Sequence, residues 1–120
     1  MGWNLDKKRP LCPQICEQIC VLISKGELKP GDRLMSVRDV AVSAQVTPNT
    51  VQKSFEQLEQ KGVIYSRRGS GWYVSEESSL AGDVREDLIR SKTETYVKDM
   101  HSLGLTGEDI QKYVKEFTNE

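Results

Sequence analysis

Two helix-start signals that fall close together constrain this chain more than any other feature. In Ser36-Val37-Arg38-Asp39 a hydroxyl can accept the backbone N–H three residues on while Asp39 reaches back, the pattern of a capping box. Thr47-Pro48 then supplies an N-cap and a proline suited to the first helical position. The first signal opens a short helix from Val37 to about Ala44, with Val37, Val40 and Ala41 facing inward. The second opens a helix to about Lys61, with Val51, Phe55 and Leu58 as its apolar stripe and Gly62 as its stop. Only Gln45-Val46-Thr47 separates the two, so the pair reads as a helix-turn-helix.

The flanks complete the unit. Ile15, Ile19, Leu22 and Ile23 recur at helical spacing over residues 11–25, and Pro13, tolerable only in a first turn, sets the start near Leu11. Gly26 ends that helix, and Leu28-Lys29-Pro30-Gly31-Asp32 reads as a turn. After Gly62, Val63-Ile64-Tyr65-Ser66 and Trp72-Tyr73-Val74-Ser75 are short strand-prone segments around the basic hairpin tip Arg67-Arg68-Gly69-Ser70-Gly71. Trp72 is expected to pack beneath this wing. Residues 1–75 are therefore expected to form a winged helix-turn-helix domain. Glu76-Glu77-Ser78-Ser79 is a polar joint to residues 76–120. There Leu80, Val84, Leu88, Ile89, Tyr96, Val97 and Met100 mark a helix of about 20 residues, its apolar face interrupted near Lys92-Thr93. Leu103-Gly104-Leu105 is a turn, and Thr106-Gly107-Glu108-Asp109 is a second capping box opening a helix with Ile110, Tyr113, Val114 and Phe117 on one face. The expected fold is mainly α with a small β wing: a winged helix-turn-helix followed by a short two-helix C-terminal dimerisation segment.

The net charge of −1 over 120 residues conceals an asymmetry. Residues 1–75 hold eleven Lys/Arg against seven Asp/Glu, a net of +4, whereas residues 76–120 hold six against eleven, a net of −5. Such a division suits a basic part that meets phosphates and an acidic part with another task. No apolar run approaches a membrane span, and the N-terminus has no apolar stretch behind Lys7-Lys8-Arg9, so a cytoplasmic protein is expected. No enzyme is expected either: His101 is the only histidine, and no phosphate loop or nucleophile constellation is present. Cys12, Cys16 and Cys20 form one helical stripe. They read as small apolar side chains facing a core, with no metal and no cofactor, against a sharper alternative of a thiolate metal or redox sensor.

The first residues of a helix docked in a major groove are those that reach base edges. Here these are Thr47, Pro48, Asn49, Thr50, Gln52 and Lys53. Asn49 and Gln52 can pair with adenine; Thr47 and Thr50 can bind phosphate or touch a thymine methyl; Lys53 can reach guanine or phosphate. The competing reading is that the threonines only cap the helix and that Gln52 and Lys53 are solvated. Arg38 can hold a phosphate or a guanine, or else pair with Asp39 or another surface acid. Arg67, Arg68 and Gly69 at the wing tip suit a narrow minor groove, or form a hairpin that happens to be basic.

In this order the motifs resemble the N-terminal domain of the GntR family. The resemblance covers about residues 10–75: Pro10-Leu11 with Gln14-Ile15, Gly26-Glu27-Leu28-Lys29-Pro30-Gly31-Asp32-Arg33-Leu34, Ser36-Val37-Arg38-Asp39-Val40-Ala41, Val46-Thr47-Pro48-Asn49-Thr50-Val51-Gln52-Lys53, Leu58-Glu59, Lys61-Gly62-Val63-Ile64 and Arg68-Gly69-Ser70-Gly71. The Thr-Pro-Asn-Thr-Val-Gln-Lys form and the short helical tail resemble the YtrA-like branch. The resemblance implies a homodimeric bacterial regulator, often a repressor of a nearby transporter operon, with DNA contacts from Arg38, the Thr47–Lys53 helix start and the Gly69 wing tip. Met35 stands where proline is usual and Cys12 where tyrosine is common; both bear on helix entry and packing more than on the DNA surface.

A tail of two amphipathic helices is too small to bury both apolar faces and also enclose a ligand pocket. Pairing with the same segment of a second chain through Leu88, Tyr96, Val97, Met100, Ile110, Tyr113, Val114 and Phe117 solves this, and gives a two-fold dimer on double-stranded DNA. No dedicated effector domain is expected, although a small ligand at the dimer interface or beneath the tail stays open, as does a tail folded back on its own winged domain. The other function class is a winged-helix module for protein–protein assembly, against which the basic Arg67-Arg68 tip argues.

Overall fold

A computed structural model describes residues 2–77 and 80–119. The chain runs α1 (Leu11–Ser24), α2 (Val37–Ala44), α3 (Pro48–Gln60), β1 (Ile64–Arg67), β2 (Gly71–Val74), α4 (Leu80–Ser102) and α5 (Gly107–Thr118). The expected mainly helical architecture with one small wing is the architecture observed. The joint residues Ser78-Ser79 and the side chain of Leu80 lie outside what is described. Residues 1–86 and 87–120 form two compact units, so the first turns of α4 belong with the first.

In the first unit, each helix presents its apolar stripe to a common core. Ile15, Ile19 and Ile23 of α1 meet the α3 stripe of Val51, Phe55 and Leu58, with Val40, Ala41 and Ala44 of α2 beside them. Ser54, the single buried polar residue of this core among those described, donates its hydroxyl to Thr50 O at 2.8 Å, so burial leaves no orphan group. β1 and β2 pair antiparallel with Ile64 opposite Val74, Tyr65 opposite Tyr73 and Ser66 opposite Trp72. Pleating puts Ile64, Val74 and Trp72 on the core side, where Trp72 meets Phe55 edge-on at 5.6 Å. The strands sit one residue off the sequence expectation, β1 starting at Ile64 and β2 at Gly71.

One element was not foreseen. The segment after the Lys29–Asp32 turn pairs with β2: Gly31 N–H donates to Val74 O at 2.9 Å, Val74 N–H to Asp32 O at 2.8 Å and Leu34 N–H to Trp72 O at 2.8 Å. An Arg33–Tyr73 bridge results, so the wing is anchored on one edge to the chain that enters α2.

In the tail, α4 runs unbroken through Lys92-Thr93, where the Thr93 hydroxyl bonds back to Ile89 O at 2.6 Å. Leu103–Leu105 forms the turn, with Gly104 in the left-handed region at φ 87°. Thr106 and Asp109 make both bonds of the capping box, at 3.2 and 3.0 Å. At Ser36 only the forward bond forms, Asp39 N–H to Ser36 Oγ at 3.0 Å. Ile110 is buried, whereas Tyr96, Tyr113, Val114 and Phe117 are exposed and Leu88, Val97 and Met100 half-buried.

Candidate nucleic-acid interface

The turn between α2 and α3 fixes what the second helix presents. Gln45 closes α2 in the left-handed region at φ 57°, and Thr47 then caps α3 by accepting the Thr50 N–H at 3.3 Å. With Val51, Ser54, Phe55 and Leu58 turned inward, Pro48, Asn49 and Lys53 stand outward at the positive end of the helix dipole. Arg38 is exposed in the first turn of α2. Among the described residues, Arg38, Asn49, Lys53 and Arg68 have no hydrogen bond or ion pair, and Arg38 in particular does not pair with Asp39. Their donors are free for an external acceptor.

The remaining expected residues are engaged within the chain. The Thr47 and Thr50 hydroxyls bond each other at 2.8 Å, and the Gln52 amide donates to Glu56 at 3.1 Å. Arg67 lies over Tyr73 at 4.5 Å and Tyr65 at 5.7 Å, donates to the Tyr65 hydroxyl at 3.2 Å and faces Glu76 at 3.6 Å. The hydrogen bond to Tyr65, reinforced by the surrounding rings and Glu76, raises its pKa further. The wing tip therefore carries two unlike arginines, Arg67 held on a stacked tyrosine pair and Arg68 free. Gly69 turns the tip at φ 76° with open space around it.

Arg33, which the sequence motif contains but to which no role was assigned, supports that tip. Its guanidinium donates to Ser70 O at 2.6 Å and packs against Gly71, where a Cβ would lie 3.4 Å from its nitrogens. Gly71 also sits at φ 130°, so its lack of a side chain serves both the turn and the close approach. The signal available was Gly31-Asp32 followed by an exposed–buried alternation at Arg33-Leu34, too short to read as a strand.

The cysteine stripe lines the α1 edge that faces α3. Cys12 donates to Thr50 O at 3.5 Å and Cys16 to Ser54 O at 3.3 Å. Burial, then the neighbouring Cys20, pushes the Cys16 thiol up to about 11, and burial raises Cys20 as well. All three cysteines are half-buried along this edge, and the raised Cys16 and Cys20 thiols resist ionisation.

A helix pair with an outward polar start, flanked by a buttressed β wing, defines a winged helix-turn-helix DNA-binding regulator. Residues 12–74 match the model of the bacterial regulatory proteins of the gntR family. The chain is 37% identical over 118 residues to the HTH-type transcriptional regulator YhcF of Bacillus subtilis (strain 168), covering 98% of both chains. It is 34% identical over 110 residues to the HTH-type transcriptional repressor YtrA of the same organism, covering 91% of this chain and 85% of that one. The structure of a GntR family transcriptional regulator from Listeria monocytogenes superposes with a TM-score of 0.85 at 33% identity, over 93% of this chain and 98% of that one. This chain belongs to the GntR family, in its YtrA-like branch. Among the described residues no helix is long and apolar enough to cross a membrane.

Proposed function

We propose that this protein is a homodimeric transcriptional repressor that binds a palindromic operator, with residues 1–75 as the reading domain and residues 76–120 as the dimerisation tail. The observation that carries it is the set of exposed, unpaired Arg38, Asn49 and Lys53 side chains around one helix start. Arg38 and Lys53 are assigned to phosphate or guanine, Asn49 to adenine, and Thr47, Pro48, Thr50 and Gln52 to the surrounding groove wall. Arg68 and Gly69 enter the adjacent minor groove, while Arg67 is the wing residue that must leave the tyrosine pair to join them.

The exposed Tyr96, Tyr113, Val114 and Phe117 favour a second copy as the tail's partner, with Leu88, Val97, Met100 and Ile110 completing the packed face. Two-fold pairing sets two reading helices about 34 Å apart, one turn of DNA. Repression agrees with the name of the YtrA relative, and a transporter operon is the target that the family resemblance implies. Such a repressor works in the bacterial cytoplasm.

The test is a gel-shift titration with DNA upstream of the protein's own gene, at several salt concentrations. Binding should weaken steeply with salt, and Arg38→Ala should cost about 1–3 kcal/mol if the guanidinium reads a base. Unchanged affinity in Arg38→Ala removes that residue from the interface; no binding by wild type at low salt overturns the reading.

A further inference from the structure

Residues 2–9, none of them among the buried core residues, lie as a strap across α1 and α2. Two glutamines one turn apart on α1 hold the strap. Gln18 accepts from Asn4 N–H at 3.3 Å and donates to Asn4 O at 2.7 Å. Gln14 accepts from Asp6 N–H at 2.7 Å and donates to Asp6 O at 3.0 Å and Pro10 O at 2.8 Å. A tight turn then follows, in which Asp6 takes the Lys8 N–H at 3.0 Å and the Arg9 guanidinium at 3.2 Å. Thus anchored, the strap delivers two donors to the end of α2. Trp3 Nε1 donates to Ser43 Oγ at 3.0 Å, and Lys7 Nζ donates to Ala44 O at 3.1 Å and Gln45 O at 2.6 Å.

Those acceptors matter because the last carbonyls of a helix have no partner in the helix itself. In α2, Ala41 O takes the Val46 N–H at 3.0 Å and Val42 O the Gln45 N–H at 3.4 Å, which leaves Ala44 O to Lys7. Gln45 is the one described non-glycine residue at positive φ, a conformation that costs free energy unless its surroundings hold it. An ammonium at this point satisfies the carbonyls, opposes the negative end of the α2 dipole and clamps the residue on which the direction of α3 depends.

We infer that Lys7 is a positioning residue for DNA reading: the strap it ends braces the Gln45–Thr47 turn and so preorganises the start of α3. This rests on the assignment of that start as the reading surface. Lys7 touches no DNA in this role; it acts through Gln45.

Two readouts test the brace. One is operator affinity as a function of salt for wild type, Lys7→Met and Lys7→Arg; the other is hydrogen exchange at the Gln45 and Val46 amides without DNA. In Lys7→Met affinity should fall roughly three- to tenfold with the salt slope unchanged, and both amides should exchange several-fold faster. Lys7→Arg, which keeps a charged donor, should restore part of both. A residue on a phosphate behaves differently: its loss lowers the salt slope by about 1. A lowered slope, unchanged affinity, or unchanged exchange in Lys7→Met each overturns the inference. Trp3→Phe removes only the bond to Ser43 and should shift both readouts in the same direction by less; it decides the matter should Lys7→Met fail to fold. If wild type binds no DNA, the assignment of α3 fails, and exchange alone then judges the brace.

Discussion

The two compact units treat their apolar residues in opposite ways. In residues 1–86 Ile15, Ile19 and Ile23 of α1, Val51, Phe55 and Leu58 of α3, and Ile64 and Val74 of the wing are buried, and Val42, 74% exposed, is the one large hydrophobic counted as exposed among those described. In residues 87–120 Ile110 is buried, but Phe117 is 86% exposed and Leu103 73%, with Ile89, Tyr96, Tyr113 and Val114 also in solvent. Apolar area removed from water contributes roughly 25 cal/mol per Å2. The first unit therefore carries its stability within one chain, whereas the second leaves much of its potential burial unused. A reading head complete in itself and a tail that is not is the arrangement expected when the tail's core is shared between two copies.

The comparison breaks most severely at Phe55, which is fully buried and meets Trp72 edge-on. Phe55→Ala should cost about 3–5 kcal/mol of unfolding free energy in a urea titration, through lost burial and the cavity left behind. A cost below about 1 kcal/mol would show that the first unit is not held by this core. The matching cut in the tail is the double variant Val114→Ser with Phe117→Ser, both positions exposed in the single chain. Here unfolding of the reading head should be unchanged, and the dimer constant from sedimentation should weaken by at least about tenfold, or roughly 1.4 kcal/mol. A wild-type protein that sediments as a monomer, or a variant that dimerises equally well, removes this face as the interface.

Much of this contrast was legible in the sequence because caps and stripes are local. Ser36, Thr47-Pro48 and Thr106 each begin the helix they were expected to begin, and Val51, Phe55 and Leu58 are the stripe that is buried. What escaped depends on pairs far apart in the chain. The bonds from Gly31 and Leu34 to β2, and from Arg33 to Ser70, join segments that no periodicity connects. Lys7 counted only as charge, since nothing local says that its ammonium reaches Ala44 and Gln45. The two wing arginines looked alike in sequence; the cross-strand pairing of Tyr65 with Tyr73 makes the shelf that Arg67 occupies and Arg68 does not.

A gentler cut sharpens the tail's side of the comparison. Thr106→Ala removes the cap of α5 while leaving its apolar face intact, and should cost about 1 kcal/mol, read from the thermal midpoint. The capping box also predicts a sign with pH. The Thr106 backbone and hydroxyl hold the Asp109 carboxyl below its usual range, so the folded state binds its proton less readily than the unfolded state. The contribution is present above the ordinary aspartate range and is lost as pH falls through the lowered value. Helicity by circular dichroism should thus fall in wild type as pH drops through that lowered value; the step should be absent in Asp109→Asn, and only reduced in Thr106→Ala, which keeps the backbone donor.

The smallest effect lies in the head, at Cys16. Its thiol is raised to about 11, chiefly by burial against α3, so folding favours the protonated form. The sign is opposite to that of Asp109: the stabilisation is full below the unfolded thiol's range, and declines as pH climbs through it towards about 11. Since the thiolate is the attacking species, iodoacetamide at pH 8.5 should alkylate Cys16 at least about tenfold more slowly in folded protein than in urea-unfolded protein. Alkylation at equal rates would mean that α1 opens from α3 on the timescale of the reaction, which the enclosed core of the first unit forbids. Cys16→Ser should leave operator affinity unchanged, because the thiol's partners, Ser54 O and the Gln57 side chain at 3.7 Å, come after Lys53, the last α3 residue of the proposed reading surface.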